Sequence, residues 1–550
     1  MADNRLNRQV ERILDEAPGR QAEVIVRMKA PTDDEDKRLM EAFSETMRRR
    51  VLSTSARDVL PVDEMILKSP RRRAATARTP RSLFDADRSL VAQTASASVR
   101  QRAAAGMQKI GLDALRPLLE AGILRRGQAA APGPARARAP GRERSARLMW
   151  SSSSAVIALG RDELARLPQE VPQIGDIYPN RRLFVPPVVR PASMPLRTDD
   201  NGAAAWGIRT IGALSSWGAY GCRGEGVTIG LLDTGVDAAH PDLKGKIAHW
   251  AELDARGRLV AGSKPRDSDS HGTHCAGTLV GGNASGRWIG VAPEAKLAAA
   301  MVLDGARGGT DAQVLGGIEW AIDQAVDVIS MSLGGMSLGP EVPSTYTSAI
   351  LKALRLGIPV VTAVGNEGSQ TSGSPANDLF AFAVGATDDL DRVAGFSGGR
   401  TQMIRESEYF PPDALPIVYS KPEVTAPGVA VFSSVPGGRW EHYNGTSMAT
   451  PHAAGAIALL LSATDIRGKV AAQDRAFLVQ DLVTGSVEEM GESGQDHRYG
   501  FGRIDILRAI GFAREKGFGP GEVRGPGPAG PSRPAGRRPK GTHARRRGRK

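Results

Sequence analysis

Residues 206–513 alternate between two kinds of pattern, and this alternation restricts the fold more than any other feature of the 550-residue chain. Short runs of apolar, often β-branched residues end in small or polar ones, and helical patterns lie between them. Strands that are apolar along their whole length are typical of a parallel sheet covered by helices on both faces. We therefore expect an α/β fold with a mostly parallel central sheet, and we place its strands at residues 227–232, 296–303, 326–331, 358–364 and 380–384.

The sequence before this part is organised differently. A strand is predicted at residues 22–28, and a strand, a helix and a strand follow at residues 148–183, which together indicate a small α+β domain. The Arg- and Ala-rich segment between them has helical spacing, and Pro-rich residues 184–200 form a linker. The predicted domains are residues 1–195, 196–516 and 517–550, of which the last is a basic Pro, Gly and Arg tail that should be disordered.

The formal charge of +12 is divided unevenly along the chain. Residues 1–195 carry +12, residues 196–520 carry −9 and residues 521–550 carry +9. A nucleic-acid-binding protein more often places its basic charge on the folded core, so the acidic middle argues against that class. We expect the basic N-terminal region to dock on the acidic domain. For the basic tail, contact with anionic surfaces and simple solubilisation both stay open.

The sequence also bears on membrane insertion, secretion and disulfide bonding. It contains no run of 18 consecutive apolar residues, so no membrane-spanning helix is expected. The first 20 residues lack the basic-then-apolar pattern of a secretory signal peptide, which leaves the cytoplasm and export by another route as the two expectations for localisation. The two cysteines, Cys222 and Cys275, cannot form a disulfide framework.

Three segments place reactive side chains at the ends of predicted elements. Asp233 follows an apolar strand in GLLDTGVD, His271 opens the run HGTHCAG, and Ser447 lies in GTSMATPHAAG ahead of an apolar helix. A serine hydroxyl becomes nucleophilic when an imidazole takes its proton, and a carboxylate fixes the tautomer of that imidazole. An Asp, a His and a Ser on separate elements of one α/β domain are what nucleophilic acyl transfer requires.

An oxyanion site is predicted beside these residues. Asn366 follows another apolar strand, in AVGNEG, and its side chain is a hydrogen-bond donor. The start of the helix that carries Ser447 adds free backbone N–H groups. Taken singly, each residue also has an ordinary structural interpretation: Asp233 can cap a turn, Ser447 can be an N-cap, and His274 competes with His271.

These motifs closely resemble those of the subtilisin-like serine proteases, the subtilases, and the resemblance covers residues 206–513. Further matching segments, in the order of the family, are WGIRTIGALSSWG, IEWA, VISMSLGG, SPA, KPEVTAPG and YGFGRI. The segment HGTHCAG is nearest to that of proteinase K-like and thiol-sensitive members. The resemblance implies a subtilisin-like three-layer α/β/α fold, preceded here by a small α+β region similar to a subtilase prodomain.

The resemblance also implies a function and the residues that carry it. It assigns catalysis to Asp233, His271 and Ser447, the oxyanion hole to Asn366, and pairing with the substrate backbone to Ser332, Leu333 and Gly334. We expect a serine endopeptidase that cuts proteins or peptides through an acyl-enzyme, is made as a zymogen and is inhibited by its own N-terminal region. The alternative is a catalytically idle subtilase fold that serves as a binding module.

No cofactor and no metal site are predicted. Asp242, in HPDL, matches a position that ligates calcium in many subtilases. The companion loop GNASGRW departs from the calcium-binding pattern through Ala284 and Arg287, and calcium needs several oxygen ligands. Calcium at Asp242 is therefore kept only as the alternative.

Two local features complete the sequence-based expectations. Residues 400–420 look like an insertion and are predicted to form a surface loop near the substrate cleft. Cys275 lies one helical turn after His271, so we expect a buried structural thiol beneath the imidazole. Cys222 is predicted to be a loop cysteine without an assigned role.

Overall fold

The computed structural model of the chain describes residues 2–16, 21–29, 97–124, 146–185, 202–336, 342–410 and 412–520. The predicted boundary between residues 195 and 196, much of the Arg- and Ala-rich segment and the tail from residue 521 lie outside the described residues. We call the described residues up to 185 the N-terminal region and those from 202 onward the main domain.

The N-terminal region forms a four-stranded antiparallel sheet with helices on one face. The sheet has the strand order β2-β3-β1-β4, so the predicted strand near residue 22 pairs with strands more than a hundred residues later. The elements are α1 Ala2–Glu16, β1 Gln21–Met28, α2 Ala97–Asp113, α3 Arg116–Glu120, β2 Arg147–Met149, β3 Ser154–Gly160, α4 Arg161–Glu170, β4 Ile174–Pro179 and β5 Arg182–Leu183.

Side chains of β1 alternate between the two faces of this sheet, as the period of two in a strand requires. Val24, Val26 and Met28 belong to the core of the N-terminal region, together with residues of α1 and α4. Ile25 belongs instead to a core shared with the main domain, and the same alternation places Arg27 on that second face. The sheet therefore has one face for α1, α3 and α4 and one for the main domain, and α2 packs in the core shared with the main domain.

The main domain contains the predicted α/β alternation. Its helices and strands are α5 Trp206–Thr210, α6 Ala213–Tyr220, β6 Thr228–Asp233, β7 Ile247–Glu252, α7 His271–Val280, β8 Lys296–Met301, β9 Leu303–Asp304, β10 Gly308–Thr310, α8 Asp311–Asp323, β11 Val328–Met331, β12 Gly335–Met336, α9 Thr347–Arg355, β13 Val360–Ala363, β14 Gly373–Ser374, β15 Phe382–Thr387, β16 Arg400–Ile404, β17 Ile417–Lys421, β18 Val424–Pro427, β19 Val431–Val435, β20 Arg439–Tyr443, α10 Thr446–Ala463, α11 Ile466–Lys469, α12 Ala472–Thr484 and α13 Ile506–Glu515.

A seven-stranded parallel sheet lies at the centre of the main domain, in the order β18-β15-β13-β11-β6-β8-β7. Ile229 and Leu231 face a core that includes α7 and α10, whereas Leu232 faces a core that includes α8 and α9. The predicted three-layer α/β/α fold is confirmed. The segment predicted as one strand at residues 296–303 is divided into β8 and the short β9.

Helix α10 crosses the interior of the main domain. All of its residues are buried, and its sequence TSMATPHAAGAIALLLSA has no charged residue. A helix that is apolar on every side is stable only when protein surrounds it. The sheet and α7 provide this environment, and the helix start therefore has a fixed position at the carboxyl end of the strands. Among the described residues, no helix is long and apolar enough to cross a membrane.

The N-terminal sheet packs against α8 and α9 of the main domain. Ser151 N donates a hydrogen bond to Glu319 on α8, and Lys352 on α9 donates to the Trp150 carbonyl at 2.8 Å. Ile25, Trp150 and Tyr178 belong to the same apolar cluster as residues of both helices. The two parts of the chain thus share one buried core.

The segment predicted as a surface loop, residues 400–420, forms a hairpin instead of a loop, although most of its described residues are at least partly exposed. Strands β16 and β17 pair in antiparallel register, Arg400 opposite Lys421 through Ile404 opposite Ile417. Phe410, between the strands, is only 5% exposed. The sequence did not predict this hairpin because its buried residues pack against distant elements, as Phe410 does against Phe380 and Tyr419 against the Asn377 carbonyl. We call residues 400–421 the insertion hairpin.

Candidate active site

The predicted acid and base form a buried pair at the carboxyl edge of the sheet. Asp233 is the last residue of β6, and His271 is the first residue of α7. Asp233 Oδ1 lies 2.7 Å from His271 Nδ1, and neither residue is exposed to solvent. Because an ionised carboxylate only accepts hydrogen bonds, the shared proton is on Nδ1. This bond fixes the tautomer and leaves Nε2 with a free lone pair.

The carboxylate of Asp233 changes the basicity of His271. Burial alone lowers the pKa of His271, but the charge and hydrogen bond of Asp233 outweigh it, so the pKa is raised well above its ordinary value. An imidazolium formed at His271 is therefore stabilised at the moment that it accepts a proton. Within the described residues, His271 Nε2 has no hydrogen-bond partner.

Ser447 is the second residue of the buried helix α10. Its Oγ donates to the Ser332 carbonyl at 3.3 Å, and the structure shows no hydrogen bond from Ser447 to His271. The two residues are nevertheless neighbours, because Cys275 Sγ lies 3.4 Å from the Ser447 carbonyl and 3.9 Å from His271 Nδ1. The position of Cys275 under the imidazole agrees with the sequence prediction.

Asn366 is oriented by the residue before Ser447. Its Oδ1 accepts hydrogen bonds from the backbone N–H and the hydroxyl of Thr446, at 2.9 and 2.8 Å. These two bonds assign the oxygen of the amide and leave Nδ2, the donor, for another group. Sequence reasoning did not identify Thr446 as the residue that orients Asn366, although it lies in the motif GTS.

The chain itself lies along the predicted substrate strand. Phe184 forms an antiparallel bridge with Gly334, and Leu183 in β5 pairs with Gly309 in β10. A Cβ atom on Gly308, whose φ is +68°, would lie 2.2 Å from the Leu183 carbonyl, so glycine is required for this approach. Residues 182–184 are thus held as a strand between β10 and Gly334, which the sequence alone did not predict at this register.

His274 has a structural environment, as expected. Its Nε2 lies 3.0 Å from the Val431 carbonyl, and its ring stacks on Tyr443 at a centroid distance of 4.3 Å. Carbonyls accept only, so the proton is on Nε2. Burial lowers the pKa of His274 to about 3, and the residue stays neutral. Tyr443 in turn contacts Ser270, the residue before His271, at 2.8 Å.

The residues around Asp242, the alternative calcium site, do not fit a cation. Asp242 Oδ1 accepts from Ala284 N at 2.6 Å, and Oδ2 accepts from Trp440 Nε1 at 2.7 Å. Two N–H donors therefore occupy the positions that a calcium ion needs. In the described part of the chain, the cluster with enough ligand types for a metal is Asp233, His271 and Cys275, whose Asp and His already bind each other.

The arrangement of the site can be compared with known proteins. A sequence model of the subtilase family, peptidase S8, matches residues 224–502, which include Asp233, His271, Asn366 and Ser447. The chain belongs to the subtilase family. The predicted family is thereby confirmed.

Several subtilases resemble the main domain in sequence. Subtilisin E of Bacillus subtilis (strain 168) is 39% identical over 249 residues, 44% of this chain and 58% of that protein. Subtilisin DY of Bacillus licheniformis is 37% identical over 296 residues, 53% of this chain and 93% of that protein. The major intracellular serine protease of Bacillus subtilis (strain 168) is 36% identical over 264 residues, 46% and 74% of the respective chains. The match thus spans less than two thirds of the length of subtilisin E.

The Cys275 thiol beside His271 should make the site sensitive to mercurials. Burial raises the pKa of Cys275, which favours the neutral thiol, and a mercury adduct on Sγ would displace the imidazole beside it. We expect a mercurial to abolish peptidase activity in the parent protein, and Cys275→Ala to stay active and resist it.

The matched control is Cys222→Ala, which removes the other free, buried cysteine and should leave the sensitivity to the mercurial unchanged. Residual activity on a chromogenic peptide is measured against mercurial concentration. A folded but inactive Cys275→Ala protein would contradict a purely structural thiol.

Proposed function

We propose that this subtilase is a serine endopeptidase that hydrolyses protein or peptide substrates through an acyl-enzyme. The observation that carries the proposal is the fully buried Asp233–His271 pair beside Ser447 at the start of α10. A buried carboxylate is costly unless it is hydrogen-bonded, and His271 Nδ1 supplies such a bond to Asp233, whereas Nε2 of His271 has no partner among the described residues. Its free lone pair supports the role of a general base.

Each step of the reaction has a residue that performs it. Ser447 Oγ turns from the Ser332 carbonyl to His271 Nε2, transfers its proton there and attacks the substrate carbonyl. Asp233 stabilises the resulting imidazolium. Asn366 Nδ2 and the N–H groups at the start of α10 donate to the oxyanion. His271 then protonates the leaving amine, and a water activated by the same imidazole releases the acyl group.

No cofactor takes part in the proposed reaction. The substrate backbone would lie where residues 182–184 lie now, paired with Gly309 and with the strand Ser332–Gly334. Main-chain pairing supplies affinity without a demand for particular side chains. The alternative function, a catalytically idle binding module, predicts no covalent labelling of Ser447.

Replacement of the nucleophile tests the function. We expect Ser447→Ala to fold and to lose roughly 10⁶-fold in kcat, because the hydroxyl is the attacking group. Asn366→Ala should lose only roughly 10²–10³-fold, because the backbone N–H groups still serve the oxyanion. Activity on a peptide substrate and labelling by a fluorophosphonate measure both variants.

The matched control is Ser434→Ala, since Ser434 is buried and bonds to the Thr273 carbonyl without contact to the triad. It should keep activity and labelling. A folded parent protein that shows neither labelling nor turnover of any peptide would favour the binding module. Activity above a few per cent in Ser447→Ala would refute the assignment of the nucleophile.

We further propose that the N-terminal region is an intramolecular inhibitor and the protein a zymogen. The strand at residues 182–184 pairs with Gly309 and with Gly334 of the proposed substrate strand, and the sheet shares a core with α8 and α9. Ion pairs join Arg181 to Asp311 at 2.9 Å and Arg147 to Glu319 at 3.3 Å. Their polarity, basic on the N-terminal side and acidic on the main domain, agrees with the uneven charge of the sequence.

Maturation provides the second test of this function. We expect the parent protein to cut itself between Leu183 and Gly202, because this segment follows the strand that lies in the cleft and is rich in proline. Ser447→Ala should stay full length. Intact mass and N-terminal sequencing of both purified proteins show whether each chain is cut and at which residue. A parent protein that is active with residue 1 still in place would show that the region is an accessory domain.

The contact at Glu319 makes docking of the N-terminal region sensitive to pH. Burial raises the pKa of Glu319 to about 7, although Arg147 and the Ser151 N–H favour its charged form. Asp323, on the same helix, is raised to about 6 by burial. When the N-terminal region leaves, Glu319 is hydrated and its pKa returns toward the ordinary value. At pH values between the ordinary pKa of Glu319 and about 7, Glu319 is therefore protonated mainly in the docked state and ionised in the separated state.

Docking should consequently weaken as the pH rises. The contribution of Glu319 is present below its ordinary pKa and is lost as the pH rises through about 7. We expect the self-cut protein to release its N-terminal region faster at pH 8 than at pH 5.5, and Glu319→Gln to flatten this dependence, measured by size-exclusion chromatography of the cut protein. Glu489→Gln is the control, because this exposed carboxylate accepts hydrogen bonds from Ser493 and Gly494 of the main domain. An unchanged pH profile in Glu319→Gln would contradict the role of this carboxyl group.

A further inference from the structure

Arg27 is a buried cation at the contact between the N-terminal region and the insertion hairpin. It lies on β1, its exposed fraction is 1%, and its guanidinium forms ion pairs with Asp176 on β4 and with Glu408 on the hairpin. The guanidinium also lies 5.7 Å from the centre of the Tyr409 ring. A fully buried arginine needs such partners, because an unpaired charge in a protein interior is strongly destabilising.

The two carboxylates come from different parts of the chain. Asp176 belongs to the N-terminal region and stays with Arg27 when that region separates. Glu408 belongs to the main domain, and its side chain is 30% exposed even in the contact. Glu408 therefore returns to water at small cost on separation, whereas Arg27 loses one of its two partners. The pair Arg27–Glu408 is a contact of the docked state alone.

The hairpin holds Glu408 in place by contacts within the main domain. Phe410 stacks on Phe380 at a centroid distance of 6.0 Å, and Tyr419 donates to the Asn377 carbonyl at 2.6 Å. These contacts do not involve the N-terminal region. The carboxylate is thus presented before docking, and little conformational entropy is lost when Arg27 meets it.

In the N-terminal sheet, Gly175 leaves space beside the Arg27–Glu408 ion pair. A Cβ atom on Gly175, in β4, would lie 2.9 Å from the Arg27 guanidinium and 3.2 Å from the Glu408 carboxylate. Glycine at this position leaves the room in which the cation and the carboxylate meet. Both sides of the contact are therefore shaped for it, at a place separate from the strand at residues 182–184 that lies in the cleft.

We propose that the insertion hairpin is a recognition surface for the chain's own N-terminal region. Glu408 on the hairpin binds the Arg27 guanidinium, and this ion pair slows the dissociation of the N-terminal region after self-cleavage. The proposal rests on the proposed function, since it concerns the cut zymogen. Its partner is a basic β-sheet surface that presents a buried arginine next to a glycine.

The rate of release tests the proposal in the full chain. The parent protein is purified after its self-cut, diluted, and followed by the appearance of activity on a peptide and by size-exclusion chromatography. We expect Glu408→Gln to release the N-terminal region roughly tenfold faster, because it removes one of the two carboxylates that pair with the buried Arg27 guanidinium, and the loss of such a partner acts mainly on the dissociation rate. The matched control is Glu406→Gln, an exposed carboxylate of the same hairpin, which should release at the parental rate.

A second variant changes the contact on the side of the N-terminal region. Gly175→Ala leaves both charges in place but puts a methyl group between them, and it should also release faster. In the double variant with Glu408→Gln, the two effects should be less than additive, because both act on one contact. The final activity after complete release should equal that of the parent protein in all variants, since none of these residues belongs to the catalytic site.

The outcomes separate this proposal from the proposed function. If Glu408→Gln cuts itself, is active and releases the N-terminal region at the parental rate, the recognition surface is refuted while the zymogen stands. If the parent protein neither cuts itself nor hydrolyses peptides, the proposed function fails first. A release rate that rises equally in Glu406→Gln would show a general charge effect and would also overturn the proposal.

Discussion

The position of the active site depends on the complete burial of helix α10. A helix without a charged residue, buried along its whole length, has to be enclosed by protein on every side, and the parallel sheet and α7 do so. Enclosure fixes the start of the helix at the carboxyl edge of the sheet, where Asp233 ends β6 and Asn366 follows β13. The Cys275 thiol then fills the space between the helix start and His271. The chemistry of the site follows from this packing, because each reactive group lies on an element that cannot shift independently.

The sequence predicted the architecture where one segment determines its own environment. Continuous apolar runs such as residues 227–232 have to be central strands, and the motifs place Asp233, His271, Ser447 and Asn366 at their ends. It did not predict features that depend on two distant segments. The pairing of Phe184 with Gly334, the insertion hairpin and the Thr446 bonds to Asn366 each need knowledge of which surfaces meet. The direction of the Ser447 hydroxyl depends on one side-chain torsion, which no pattern encodes.

Electrostatics at the contact between the two regions are asymmetric. Arg147 and Arg181 of the N-terminal region meet Glu319 and Asp311 of the main domain, and Arg27 meets Glu408. One pair, between Glu23 and Arg256, has the opposite polarity. Local pairs therefore explain how a basic segment and an acidic domain associate, without an appeal to the net charges alone. They also place most of the compensating charge on a surface of α8 and the insertion hairpin.

The shared core has a consequence for the solubility of the main domain on its own. Departure of the N-terminal sheet uncovers the side of α8 and α9 that now packs against Ile25, Trp150 and Tyr178, and leaves apolar side chains in water. Such a patch promotes self-association unless charged groups border it. Asp311, Glu319 and Glu408 stand at this surface, and once their arginine partners have gone these three carboxylates outnumber Arg256 and Lys352, the cations that also contact the N-terminal region. The same carboxylates that hold the two regions together would then keep separated main domains apart by mutual repulsion.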